Sequence, residues 1–126
     1  MKFTVFAVTF VFFGLSLAQT NPWDPQPRDD NWLTTHETLV NLTLEHAKDE
    51  KLVFIGDSIT RRWSEDGKNI WAKFYAPRQA YNYGVGGDET QHVLYRIENK
   101  EFDGIYAKVA VLMIGMSSDK QRSLEI

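Results

Sequence analysis

From residue 34 onward the apolar positions fall into blocks with two rhythms. Val40, Leu44 and Ala47 recur at helical spacing, with His36 and Thr43 on the same side. Thr34-Thr35-His36-Glu37 has the form of a capping box, so a helix is predicted from about Thr35 to Ala47. Leu52-Val53-Phe54-Ile55 is a short unbroken apolar run ending in Gly56, the pattern of a strand buried on both faces. A helix is expected to begin near Ser58, and a longer one to cover about Asn69 to Tyr75, with Ile70, Trp71 and Phe74 on one face. Ala80 to Tyr83 reads as a second, short strand. Asp88 then caps another helix, with Gln91 at the capping-box position and Val93, Leu94 and Ile97 as its stripe. Val109 to Ile114 has no polar position and is the third strand. The order α-β-α-β-α-β predicts an α/β fold, a parallel sheet with helices on both faces. Ligands of such sheets sit at the carboxyl ends of the strands, so the residues directly after each strand are the ones to examine.

The N-terminal pattern is different. Lys2 is followed by an almost wholly apolar run from Phe3 to Leu17, and Ser16-Leu17-Ala18 puts small residues at its end. This is the form of a secretory signal peptide, residues 1–18, cleaved after Ala18. The run is shorter than the roughly 20 residues a spanning helix needs, and no basic cluster follows it. The expectation is a secreted, extracellular protein with no membrane span. Residues 19–33, with Pro22, Pro25 and Pro27, read as an extended arm that Trp23 and Trp32 pin to the surface. In an exported chain Asn41-Leu42-Thr43 is also a glycosylation sequon.

Composition narrows the partners. A formal net charge of -3 on 126 residues offers nothing to nucleic acid or to an anionic membrane. With no cysteine, disulfides and thiolate metal sites are both excluded. No cofactor and no metal is expected.

Two loops carry candidate chemistry. Gly56-Asp57-Ser58 puts a serine where a strand turns into a helix, exposing its hydroxyl beside helix N–H groups. A serine nucleophile needs both exposure and fixed donors for the oxyanion that forms on attack. Asp and Ser are also the commonest N-cap residues, and on the tripeptide alone the cap is the better reading. After the second strand comes Gly84-Val85-Gly86-Gly87-Asp88, whose glycines let backbone approach a ligand. A dinucleotide loop starting at Gly84 would need glycine at position 89, where Glu89 stands.

Three blocks together are more specific: Leu52 to Thr60 (LVFIGDSIT), Tyr81 to Thr90 (YNYGVGGDET) and His92 to Ile97 (HVLYRI). In this order and spacing they resemble the GDSL/SGNH serine ester hydrolases, nearest to the branch of the platelet-activating factor acetylhydrolase catalytic subunits. The resemblance runs from about Asp30 to Gly115. It implies a three-layer α/β/α sandwich, of which this chain carries the N-terminal half within residues 34–115. It also implies that Ser58 is the nucleophile, that its own N–H and that of Gly87 form part of the oxyanion hole, and that the substrate is a small lipid or carbohydrate acyl ester.

The departures are as informative. The family's Gly-x-Asn after the third strand reads Gly115-Met116-Ser117 here, opening a divergent tail over residues 116–126. The family's Asp-x-x-His block has no counterpart. The three histidines are His36, His46 and His92, none with an aspartate three residues before it. The expectation is an ester hydrolase relative that does little catalysis by itself, the alternative being a secreted acyl- or glycan-binding protein. With no later strand beside it, the third strand would form an apolar edge prone to self-association.

Overall fold

The computed structural model describes residues 21–116. The expected leader, Ser117 and nearly all of the expected tail lie outside the described residues.

Strand β1 (Leu52–Gly56) is central, with β2 (Ala80–Gly84) parallel on one side and β3 (Val109–Met113) parallel on the other. Leu52 stands opposite Ala80 and Val109, and Gly56 opposite Gly84 and Met113, so all three strands end at one edge. Helix α1 (Asp30–His46) precedes β1, and α2 (Ser58–Arg61) follows it directly. A helical stretch beginning with α3 (Lys68–Ile70) leads to β2, and α4 (Thr90–Glu98) lies between β2 and β3. The sequence thus leads to the expected α/β architecture with a parallel sheet.

Alternation along the strands sorts the layers, because registered residues of parallel strands share a face. Phe54 and its partner Asn82 face the segment between β1 and β2. Phe54 packs in T-shaped contacts on Trp71 and Tyr75, ring centroids 5.1 Å away in both cases, and on Trp63. The Asn82 side-chain amide donates to the Thr60 carbonyl and Ser64 Oγ, holding α2 and the turn after it on the same face. On the other face Tyr81 meets His46, and the Tyr83 hydroxyl meets Thr43, both on α1.

Several elements differ from the sequence reading. Helix α1 starts at Asp30, five residues earlier than Thr35, because the Asp29 side chain caps it by accepting from Trp32 N at 2.9 Å. Thr34 Oγ1 instead donates back to the Asp30 carbonyl, as a mid-helix threonine does. Trp32 is therefore a helical core residue and not a surface pin. The buried face of α1 is Trp32, His36 and Thr43, while Leu44 is 75% exposed. The stripe expected at Val40, Leu44 and Ala47 sits to one side of the face that meets buried polar partners.

The helix expected over Asn69–Tyr75 is one α turn that widens to a π turn at Trp71–Tyr75 and tightens to a 3-10 turn at Ala76–Arg78, which contains Pro77. Helix α4 is capped by Glu89 and not by Asp88. The Glu89 side chain accepts from the His92 backbone, while His92 Nδ1 accepts from Glu89 N at 2.9 Å. Strand β3, expected to suit burial on both faces, is exposed at every position. Among the described residues it pairs only with β1.

Candidate active site

Ser58 is the first residue of α2, directly after the carboxyl end of β1. The Asp57 carboxylate is buried and accepts from Ile59 N at 2.8 Å. The capping and nucleophile readings of Gly-Asp-Ser therefore coexist: Asp57 caps, and the cap sets Ser58 at the helix start with its side chain half-buried. The tight turn back over the strand needs two glycines. A Cβ on Gly56 would strike the Met113 carbonyl and Thr60, and one on Gly84 would strike the Thr60–Arg61 backbone.

The second loop reaches the same edge from β2. Val85 N donates to the Gly56 carbonyl at 3.0 Å, which carries the β1–β2 pairing one step past Gly84 and ties the two loops together. Asp88 N donates to the Val85 carbonyl, closing a turn in which Gly87 has φ +77, a conformation that favours glycine. Arg28 Nη1 donates to the Gly86 carbonyl at 2.7 Å. Across a trans peptide the N–H points opposite to the C=O. Arg28 thereby fixes the direction of the Gly87 N–H, which belongs to that same peptide unit.

Behind the loop lies a buried polar cluster that sequence reasoning left without a role. Arg96 on α4 is completely buried. Its Nη1 donates to Asp88 Oδ2 at 2.7 Å, and its Nη2 donates to the Tyr83 carbonyl. One guanidinium thus holds the residues on either side of the Gly84–Gly87 loop. Arg96 Nε and Nη2 both reach Glu101 Oε1, whose other oxygen accepts from His36 Nδ1 at 2.7 Å. Trp32 Nε1 donates to the second oxygen of Asp88 at 2.6 Å. The only signal in the sequence was an arginine at position 96, three residues after Val93 on the inward face of α4. A cleft of ≈ 390 Å³ opens beside the loop, between Arg28 and Trp32 on one side and Arg61 with Gly84, Val85 and Gly86 on the other.

The histidines are engaged elsewhere. His36 is buried against Glu101, and His46 packs on Tyr81 near the amino ends of the strands. His92 Nδ1 serves the α4 cap, and burial pushes its pKa below the ordinary value, with Asp88 and Glu89 opposing the shift. Among the described residues no cluster of three or more metal-ligating side chains forms, and no helix is long and apolar enough to cross a membrane.

No family model matches the sequence. Curated proteins do. The rat platelet-activating factor acetylhydrolase IB subunit alpha1 is 34% identical over 98 residues, covering 78% of this chain and 40% of the rat protein. The human alpha1 subunit is 37% identical over 90 residues, 71% of this chain and 37% of its own length. The human alpha2 subunit is 33% identical over 98 residues, 78% of this chain and 41% of its own. This chain spans about two fifths of the length of the curated relatives it matches. The parallel α/β sheet, the paired loops at its carboxyl edge and these identities place the chain in the GDSL/SGNH family, in the branch of the platelet-activating factor acetylhydrolase IB alpha subunits.

Proposed function

We propose that the carboxyl edge of the sheet carries part of a serine ester hydrolase site, with Ser58 as nucleophile and its own N–H and that of Gly87 as oxyanion donors. The observation that carries this reading is the pairing of Ser58, at the start of α2, with a glycine loop tied to the neighbouring strand end and held by Arg28 and Arg96. Preorganised donors of this kind are what an acyl-transfer transition state requires. The relatives' printed name, acetylhydrolase, supports an acetyl or other short acyl ester of a lipid or carbohydrate as substrate. The apolar Phe3–Leu17 run supports export.

This chain by itself turns over little ester. Among the described residues no hydrogen bond joins a histidine to Ser58, and all three histidines have other partners. In serine hydrolases loss of the histidine base costs about 10⁶ in kcat. The purified chain should hydrolyse p-nitrophenyl acetate no faster than its Ser58→Ala variant; Ser58-dependent turnover would point to His92 as the base. The nucleophile is tested separately by fusing residues 21–115 to the C-terminal portion of the human alpha1 subunit. The fusion should gain hydrolysis that Ser58→Ala abolishes. A folded fusion whose hydrolysis is absent or indifferent to Ser58 would overturn the reading.

A further inference from the structure

On the face of the sheet away from α2, a line of polar groups ties α1 to β2 and plays no part in the site above. Glu50, in the turn between α1 and β1, is completely buried. Its Oε1 lies 2.6 Å from the Tyr83 hydroxyl, which lies 2.7 Å from Thr43 Oγ1. Thr43 Oγ1 in turn lies 2.5 Å from the Glu101 carbonyl oxygen. Tyr83, Thr43 and Glu101 are buried as well.

The protons along this line can be counted, because a hydroxyl has one to give and a carbonyl none. The Thr43 proton goes to the Glu101 carbonyl. Thr43 is then the acceptor in its contact with Tyr83, so the Tyr83 proton goes to Thr43. That leaves Tyr83 without a proton for Glu50, and two oxygens 2.6 Å apart need one between them. Only Glu50 can supply it. We infer that Glu50 is held as a neutral carboxylic acid in the native protein, heading a one-way donor chain Glu50→Tyr83→Thr43→Glu101, and that its ionisation is a built-in alkaline release of α1 from the sheet.

The surroundings agree. Glu50 Oε2 is buried without a hydrogen-bond partner, tolerable for the carbonyl oxygen of an acid and costly for a carboxylate. The groups that act on Glu50 are His46 of α1 and Tyr81 and Tyr83 of β2; those two tyrosines in turn feel Asp49 of the turn, Thr43 of α1 and Glu101 after α4. The Arg96 guanidinium, bonded to the same Glu101, is taken by Asp88 and Glu101. Burial raises the pKa of Glu50, opposed by the Tyr83 hydrogen bond and by His46. Burial also raises that of Tyr83. If Glu50 ionises, the Tyr83 proton turns towards it, and the Tyr83 and Thr43 oxygens lose the proton that joined them.

A carboxyl whose native pKa is raised contributes stability that is complete below its unfolded pKa of about 4.3 and is lost as pH rises through the native value. Across that window the folding constant should fall about tenfold per pH unit. The test is carbon NMR of glutamate carboxyl groups, the Glu50 signal being the one missing from Glu50→Gln, together with urea unfolding of both chains across pH. Glutamine can donate its amide N–H to Tyr83 and keep the chain of bonds. The expected result is a Glu50 signal at the position of a protonated acid at neutral pH, and a decline of stability with pH that Glu50→Gln lacks. A carboxylate signal from the folded protein at neutral pH, or parallel declines in the two chains, would overturn the inference. Should Glu50→Gln fail to fold, Tyr83→Phe identifies the signal by displacing it, and the wild-type titration decides alone.

Discussion

Replacing Arg96 should damage the fold more than any other single exposed or buried charge described above. Its guanidinium makes four hydrogen bonds: to Asp88 Oδ2 at 2.7 Å, to Glu101 Oε1 at 2.8 and 2.5 Å, and to the Tyr83 carbonyl. Arg96, Asp88 and Glu101 are all completely buried. Arg96→Met preserves most of the stem, leaves Glu101 without a guanidinium and leaves Asp88 with only Arg28, 4.0 Å away. Removing one partner of a buried ion pair costs about 3–5 kcal/mol, because the remaining charge cannot reach water. Trp32 Nε1 still serves Asp88, and His36 still serves Glu101, so the lower part of that range applies. Against a total stability of about 5–15 kcal/mol for a small domain, such a loss brings the variant close to unfolding. Arg96→Lys keeps the charge but not the planar fork, and should lose roughly half as much. Urea unfolding at neutral pH, followed by circular dichroism, reads both variants. The Gly86 and Gly87 amides should also exchange faster in Arg96→Lys, since the lysine cannot hold Tyr83 and Asp88 together. Arg96→Met within about 1 kcal/mol of the parent, at unchanged denaturant slope, would refute the reasoning.

Two further outcomes follow from particular contacts. His92 must keep Nδ1 unprotonated to accept from Glu89 N, and its native pKa is depressed, so stability is complete above its unfolded pKa of about 6.5 and declines as pH falls below it. His92→Leu should cost about 1 kcal/mol at neutral pH through the lost cap and should flatten that decline, which thermal melts at graded pH will show. Among the described residues β3 is an edge strand, with Val109, Val111, Leu112 and Met113 between 39% and 60% exposed. The chain should therefore self-associate in size-exclusion chromatography, and Leu112→Lys should reduce this; a monodisperse parent with strongly protected β3 amides would refute it.

Local signals in the sequence were enough for the element order, the parallel sheet and the edge at which Ser58 and the glycine loop lie. A run such as Leu52–Ile55 can only be a buried strand or helix segment, and Gly56 after it ends the run. Alternation of such runs with helical stripes leaves few topologies. Capping and burial were another matter. Thr34 with Glu37, and Asp88 with Gln91, are sound capping pairs by spacing, yet Asp29 and Glu89 took those roles. Asp88 was unavailable to α4 because Arg96 and Trp32 compete for its carboxylate. That competition depends on a tryptophan 56 positions earlier in the chain. Likewise Glu50 looks like a solvent-facing residue by type, and His36 and Thr43, though on the side of the apolar stripe, are polar residues with no partner in their own segment. They are buried because Glu101 and Tyr83, distant in sequence, supply partners that satisfy them. Apolar periodicity measures what water expels and is local to each segment. The pairing of buried polar groups depends on which segments meet, and only the tertiary structure decides that.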